Sequence, residues 1–574
     1  MSVRKWIAAA LALLMLGGTL TGCTGGQAPE EGSSAPTSTT SMPDNVTSEE
    51  DPSSATSADD SSDTTASNSD AASNNSTVST APGTKQPDNS KNTTKQPNST
   101  KKPNTTTQAP DKGVTTPVTN LTWDFMKGKG GAEKNAVSVR ESIVNAKDSL
   151  KVSGTTYYFS NSGNDFNDGK SPQTALKSPS RISRLTLKSG DAVLFERGSI
   201  FRLDSGISLQ SGVSYGAYGS GNKPEFWFSI KNYGGSNLWT KHSTTNVWKV
   251  TYNYPEAGIL VINDGALVGN KVFSMTQMQK NGDFYSSGNG TLYLYSKTDP
   301  NKYADIEISS GGSFGGATQN VSNITVENLC IKYTSGHGFG FVGANNVTIR
   351  NCVLGWIGGA VHHPGTGDTT RLGNAIEFYN SSSNLTIENN WIYQVYDTGI
   401  TFQGTRGPYK NISFKSNLIE YCTMAIELWN DNKDDEISNV VIENNHMRFS
   451  NYGWGAMPDR GGRGAHLWSG WRLGEPYTNF HIVVRNNIFD CSYSNIISGA
   501  WKPVTSGVME YKIEGNSYYQ RNHIGADDLG YQMKYNVAFF FGVNAKQIDA
   551  NNQAELEQAV KAVDPSAKTI KWLS

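Results

Sequence analysis

Between Asn323 and Asn516 one seven-residue pattern of apolar and polar positions returns seven times. It reads Asn323-Ile-Thr-Val-Glu-Asn-Leu329, Asn346-Val-Thr-Ile-Arg-Asn-Cys352, Asn384-Leu-Thr-Ile-Glu-Asn-Asn390 and Asn411-Ile-Ser-Phe-Lys-Ser-Asn417. It continues as Asn439-Val-Val-Ile-Glu-Asn-Asn445, His481-Ile-Val-Val-Arg-Asn-Asn487 and Glu510-Tyr-Lys-Ile-Glu-Gly-Asn516. Positions two and four are apolar, as in a strand that buries every second side chain. Successive starts lie 23, 38, 27, 28, 42 and 29 residues apart. Each copy therefore predicts one coil of a parallel β-helix, and the two long intervals predict coils that carry inserts.

Position five reads Glu327, Arg350, Glu388, Lys415, Glu443, Arg485, Glu514, with the sign of charge alternating throughout. In-register parallel strands stack such residues in a column, where opposite neighbours attract. Position seven supplies Asn390, Asn417, Asn445, Asn487 and Asn516, which resembles the asparagine ladder of β-helices. Both columns are expected to be scaffold rather than catalytic.

A second apolar alternation lies between the heptapeptides: Gly338-Phe-Gly-Phe-Val342, Ala375-Ile-Glu-Phe-Tyr379, Gly399-Ile-Thr-Phe-Gln403, Ala425-Ile-Glu-Leu-Trp429 and Gly464-Ala-His-Leu-Trp468. With its apolar residues turned inward, two outward columns remain. One is Gly340, Glu377, Thr401, Glu427, His466, and the other is Val342, Tyr379, Gln403, Trp429, Trp468. Carboxylates can move protons or attack an anomeric carbon, and aromatic faces pack on sugar rings. Asp397, in Tyr396-Asp-Thr-Gly399, enters the same strand between the two glutamates. The candidate catalytic residues are thus Glu377, Asp397, Glu427 and His466, with Tyr379, Gln403, Trp429 and Trp468 as binding surface.

Both inserts adjoin this strand. Residues 358–374 hold His362, His363, Asp368 and Arg371, and residues 450–463 hold Trp454, Asp459, Arg460 and Arg463. Inserts in a solenoid tend to build one binding face, so these residues join the candidate substrate-binding set. Arginines 371, 406, 460 and 463 hint at an anionic sugar. The loop with Asp431, Asp434 and Asp435 matches no calcium template and reads as a solvated turn.

The chain ends carry different signals. Arg4 and Lys5 precede an apolar run, Ile7 to Leu16, too short for a permanent membrane span. Leu20-Thr21-Gly22-Cys23 resembles a bacterial lipobox, which implies cleavage before Cys23 and acylation of that residue. The expectation is an extracellular protein, lipid-anchored to the cell membrane through Cys23. Residues 24–118 are Ser/Thr/Asn/Pro-rich and lack aromatics, Leu, Ile and Cys, so this linker is expected to be disordered. Residues 119–574 form the β-helix domain. Within it, Ala136 to Leu150 reads as an N-terminal helical cap and Asn552 to Val563 as a C-terminal one, inside a cap of residues 545–574.

Composition narrows the partners. The 574 residues carry a formal net charge of −2, which gives no basic field for nucleic acid. Besides Cys23, the cysteines are Cys330, Cys352, Cys422 and Cys491, whose spacing fits no zinc template and predicts buried thiols.

The opening of the domain resembles a known group. Tyr157-Tyr-Phe-Ser-Asn-Ser-Gly-Asn-Asp165, Asn167-Asp-Gly169 and Ser171-Pro172 look like the start of secreted bacterial carbohydrate-active β-helix proteins. So do Gly190-Asp-Ala-Val-Leu-Phe-Glu-Arg-Gly198 and Tyr215-Gly-Ala-Tyr-Gly219. The likeness to the pectate-lyase-like superfamily spans about residues 155–543, including an inserted β-rich segment, 237–308. It implies an all-β, right-handed parallel β-helix with short helical caps. It does not choose a chemistry, since that superfamily holds glycosidases, lyases and non-enzymes. Three readings stay open. The first is a monomeric glycoside hydrolase acting on a polysaccharide through two of Glu377, Asp397 and Glu427. The second is a polysaccharide lyase with a base at or near His466 and carboxylates holding a cation such as Ca2+. The third is a non-catalytic surface glycan-binding protein.

Overall fold

The structure is a computed structural model. It describes residues 130–574 apart from 313, 316–317, 365, 431, 433–434, 457–463, 471–479, 500–503, 507–508, 524–535 and 542–545. The expected signal segment, Cys23 and the linker lie outside the described residues, as do Asp431, Asp434, Asp459, Arg460 and Arg463.

The seven heptapeptides occupy consecutive strands of one sheet: Ser322–Glu327, Asn345–Arg350, Ser382–Glu388, Tyr409–Lys415, Ile437–Glu443, Phe480–Arg485 and Met509–Glu514. All pair in parallel, and position five faces position five across every pairing. The expected charge column closes as ion pairs at Arg350–Glu327 (2.8 Å), Lys415–Glu388 (2.9 Å) and Arg485–Glu443 (2.7 Å). Positions two and four, such as Ile324, Val326, Val347 and Ile349, lie in the core at 1% exposure or less.

Position six turns the corner. Asn328, Asn351, Asn389, Ser416, Asn444 and Asn486 all take φ between 53° and 60°. Asn enters this left-handed region more readily than other non-glycine residues. Position seven then points inside the corner. Asn390, Asn417, Asn445 and Asn487 each donate through Nδ2 to the next asparagine at 3.0 Å, ending on Asn516. The last rung donates to the carboxylate of Asp564, which is fully buried.

After the corner the chain makes a second strand, bends again and makes a third. In two coils these are continuous, as Trp391–Gln403 and Leu418–Leu428. The second bend falls on Tyr333, Trp356, Gln394, Tyr421, Phe449 and Cys491, all with φ between 51° and 62°. The result is a right-handed parallel β-helix, the hand that parallel crossovers take. Its third strands carry the candidate site.

The N-terminal helix spans Glu133–Val144, shorter than the expected 136–150, and it does not cap an end. Its buried stripe, Ala136, Arg140 and Ile143, lies against the side of the solenoid, among Trp391, Tyr393 and Tyr421. Arg140 explains the placement, because its guanidinium is paired with the buried carboxylate of Glu420. At the N-terminal end the core instead includes Leu176, bridged to Phe159, and Ile182, from a short 3-10 turn, with Leu185 and Leu187 packed against it. The C-terminal helix, Gln553–Val563, packs Leu556, Ala559 and Val560 onto the core. Asn552 caps it, accepting from Glu555 N–H at 3.0 Å.

Within 237–308, a five-stranded and a three-stranded sheet enclose a separate small core around Trp239, Tyr252, Phe284 and Leu292. Cys330, Cys352, Cys422 and Cys491 are buried free thiols, as their spacing suggested.

Candidate active site

The third strands place Gly340, Glu377, Thr401 and Glu427 directly beside one another in successive coils. The register is the one expected from the apolar alternation. Small Thr401, fully buried, leaves room above itself for the two flanking carboxyls.

Glu377 is 9% exposed and serves as an acceptor. Its Oε2 takes N–H bonds from Asn374 Nδ2 (2.6 Å) and Gln403 Nε2 (2.7 Å). Gln403 is itself fixed by Trp429, whose indole N–H donates to its Oε1 at 2.6 Å. The aromatic column thus holds the amide that holds the carboxylate. Tyr379 stands next to Gln403 on the neighbouring strand.

Glu427 is in a poorer environment. The hydroxyls of Thr398 and Thr401 lie 3.4 and 3.5 Å from its Oε2, long for O–H···O bonds. Burial, and then the charge of Glu377, raise its carboxyl to about 7. Two carboxyls in one column therefore differ in what surrounds them, one cradled by amides and one with only long hydroxyl contacts. That asymmetry separates an acid from a base in carboxylate-pair chemistry.

Two residues outside the expected set complete the arrangement. Asn374 is 4% exposed and makes use of its backbone and side chain alike. Its amide N–H donates to His337 Nδ1 (3.1 Å), its Nδ2 to Glu377, and its Oδ1 accepts from Thr398 N–H (3.0 Å). His337 Nδ1 lies 3.4 Å from Glu377 Oε2. That nitrogen also accepts from the backbone N–H of Asn374, which ties the imidazole to the same cluster. The available signal was position: His337 and Asn374 each immediately precede a third strand.

Several expected members are placed elsewhere. His466 is not in the column with Glu427, because Glu427 pairs with Trp468 and Ile426 with Leu467. A shift of two residues preserves apolar alternation, so the pattern alone could not detect it. His466 is fully buried, bonded through Nδ1 to Ser450 (2.8 Å), with its ring 5.9 Å from Phe489. Burial lowers its pKa to about 3, so it is neutral and out of reach of a substrate. This removes His466 itself as the base of the lyase reading, while Arg460 and Arg463 nearby in sequence lie outside the described residues. Trp468 moves from the aromatic column to the carboxylate column.

Arg371 is not a free anion-binding group. It is 6% exposed, donates to Gly359 O at 2.8 Å, and lies over Tyr396 (4.3 Å) and Trp454 (5.7 Å). Trp454, 2% exposed, donates to Gln394 O and belongs to the same packing. Asp397, partly buried, lies on the strand of Thr401, its N–H donating to Gly373 O at 3.1 Å. Asp435 closes a turn, accepting from Gly407 N–H and from Asn430 and Asn432, so that carboxylate is not poised as a calcium ligand. His362 and His363 are exposed and stand together with Asp368.

Comparison with known proteins bears on the fold. A family model described as a right-handed beta helix region matches residues 236–409. No curated protein matches the chain. Among solved structures, the complex of XylC with xylose is 12% identical at a TM-score of 0.41, over 64% of this chain and 69% of that one. A glycoside hydrolase is 9% identical at 0.37, over 64% and 93%. A rhamnogalacturonan lyase is 13% identical at 0.33, over 64% and 74%.

Proposed function

We propose that this chain is an extracellular glycoside hydrolase that cuts a polysaccharide lying along its third-strand face. Glu427 is the general acid and Glu377 the general base. The observation that carries this assignment is the asymmetry of the pair: Glu427 is raised to about 7, while Glu377 accepts two amide N–H bonds. A carboxyl protonated near neutrality can give a proton to a leaving oxygen, and an amide-cradled carboxylate can take one from water.

Two strand spacings separate the pair, roughly 9.6 Å between backbones before the side chains lean. Inverting enzymes hold their carboxyls about 6.5–9.5 Å apart, with a water between base and anomeric carbon. In the step that follows, Glu377 removes a proton from this water as its oxygen bonds to the anomeric carbon. The glycosidic C–O bond breaks, and Glu427 protonates the departing oxygen. Trp429, Tyr379 and Trp468 offer ring faces to neighbouring sugars.

Digestion of a broad polysaccharide panel, with proton NMR of the first-formed anomer, tests the reading. Saturated products of inverted configuration support it, and products bearing an unsaturated uronate would place the chain among the lyases. Cell-surface anchoring at Cys23 belongs to the same proposal. Loss of lipid labelling in Cys23→Ala is the expected result.

A further inference from the structure

The enlarged coil that precedes Glu377 carries a hairpin, Ala360–Val361 paired antiparallel with Arg371–Leu372. Its loop brings His362, His363 and Asp368 together, with one donor atom of each within 4.8 Å of the others. The imidazole centroids are 4.0 Å apart. Asp368 Oδ1 accepts from Thr370 N–H at 2.8 Å, and His362 N–H donates to Thr370 O at 2.7 Å.

The base of the hairpin is anchored. The Arg371 guanidinium is clamped over Tyr396 and Trp454, and Val361 N–H donates to Glu256 at 3.3 Å. Leu372 is followed two residues later by Asn374, which bonds Glu377. The cluster therefore rises from the same coil as the candidate base, on a stem whose position is set by buried contacts.

Two exposed imidazoles in ring contact and the adjacent carboxylate thus bring three potential donor atoms into one small region. Two nitrogens and one oxygen suit a borderline divalent ion, whereas Ca2+ takes six to eight oxygens. Donors of a tetrahedral Zn2+ lie about 2.0–2.1 Å from the metal, and so roughly 3.3 Å from one another.

We propose that His362, His363 and Asp368 bind one divalent ion of the Zn2+ class on the hairpin of the coil that carries Glu377. Three protein donors leave a coordination position open, suited to a hydroxyl or carboxylate oxygen of a bound glycan. The metal site stands independently of the hydrolase reading, because ion binding is measured without a glycan.

Isothermal titration of the full, chelator-stripped chain with ZnCl2, and separately with CaCl2, tests it. One Zn2+ per chain is expected, with no matching Ca2+ heat at the same concentrations. His363→Ala and Asp368→Asn should each weaken Zn2+ by about tenfold or more. Their metal-free melting curves should match the parent, because the changes fall on a partly solvated loop. Absence of a one-to-one Zn2+ site, equal binding by both variants, or Ca2+ binding as tight as Zn2+ would each overturn the proposal.

Discussion

Glu427 stands two strands from Glu377 in one outward column, and burial together with that neighbour's charge raises its carboxyl to about 7. If Glu427 is the acid, turnover requires its protonated form. The rate should therefore fall above about pH 7, and the optimum should be mildly acidic. A pH profile of kcat/KM measures this. An alkaline limb above pH 9 would take the acid role away from Glu427.

The same carboxyl makes a stability prediction. Its folded-state pKa lies above the ordinary value of 4.5. Its contribution is therefore fully present below about pH 4.5 and is lost as pH rises through about 7. Glu427→Gln should then be more stable than the parent at pH 8, by on the order of 1–3 kcal/mol, with the difference vanishing near pH 4. Chemical denaturation at both pH values gives the comparison.

Asn374 and Gln403 act through Glu377 and are positioning residues. Asn374→Ala removes one amide donor from the carboxylate and also frees Thr398 N–H, while the backbone N–H at 374 still donates to His337 Nδ1. With fewer donors the carboxylate is oriented less well toward its water, so a loss of kcat on the order of tenfold is expected, with KM close to the parent's. Parental kcat in both Asn374→Ala and Gln403→Ala would show these amides to be structural only.

Arg140 ties the N-terminal helix to the solenoid. Burial works to raise the carboxyl of Glu420, but Arg140 and Arg448 outweigh it and hold the pKa below the usual range. Trp391 also donates to Glu420, at 2.8 Å. Arg140→Ala leaves that buried charge short of a partner and should cost about 3–5 kcal/mol. Because the folded pKa is depressed, the stabilisation is present above about pH 4.5 and is lost as pH falls. The penalty should therefore shrink in acid, as read from urea midpoints at pH 7 and pH 4.

What could be read from the chain followed from repetition. Glu327 to Glu514 alternate in sign because each coil places position five above the last, and one copy of the pattern checks the next. The Glu377–Thr401–Glu427 column came from the same constancy across coils of similar length. It failed at His466, where an insert of variable length removed the phase and a two-residue slip kept the apolar pattern intact. The second corner was illegible because Tyr333, Trp356, Gln394, Tyr421, Phe449 and Cys491 share a backbone state but no side-chain type. His337 was missed because its role arises from contacts between coils, and Asn374 because its bond to Glu377 follows from the bend before the strand rather than from the apolar alternation. The N-terminal helix reads as a cap from its own sequence, because the buried partner of Arg140, Glu420, lies 280 residues further along the chain.

The most direct test of the carboxylate pair is reducing-end release by the parent, Glu377→Gln and Glu427→Gln on the polysaccharide that the panel identifies. The account predicts that each variant folds as the parent does and loses about a thousandfold or more in kcat. Glu427→Gln alone should recover on a substrate whose leaving group needs no proton. Near-parental turnover by both variants would remove the column from the mechanism.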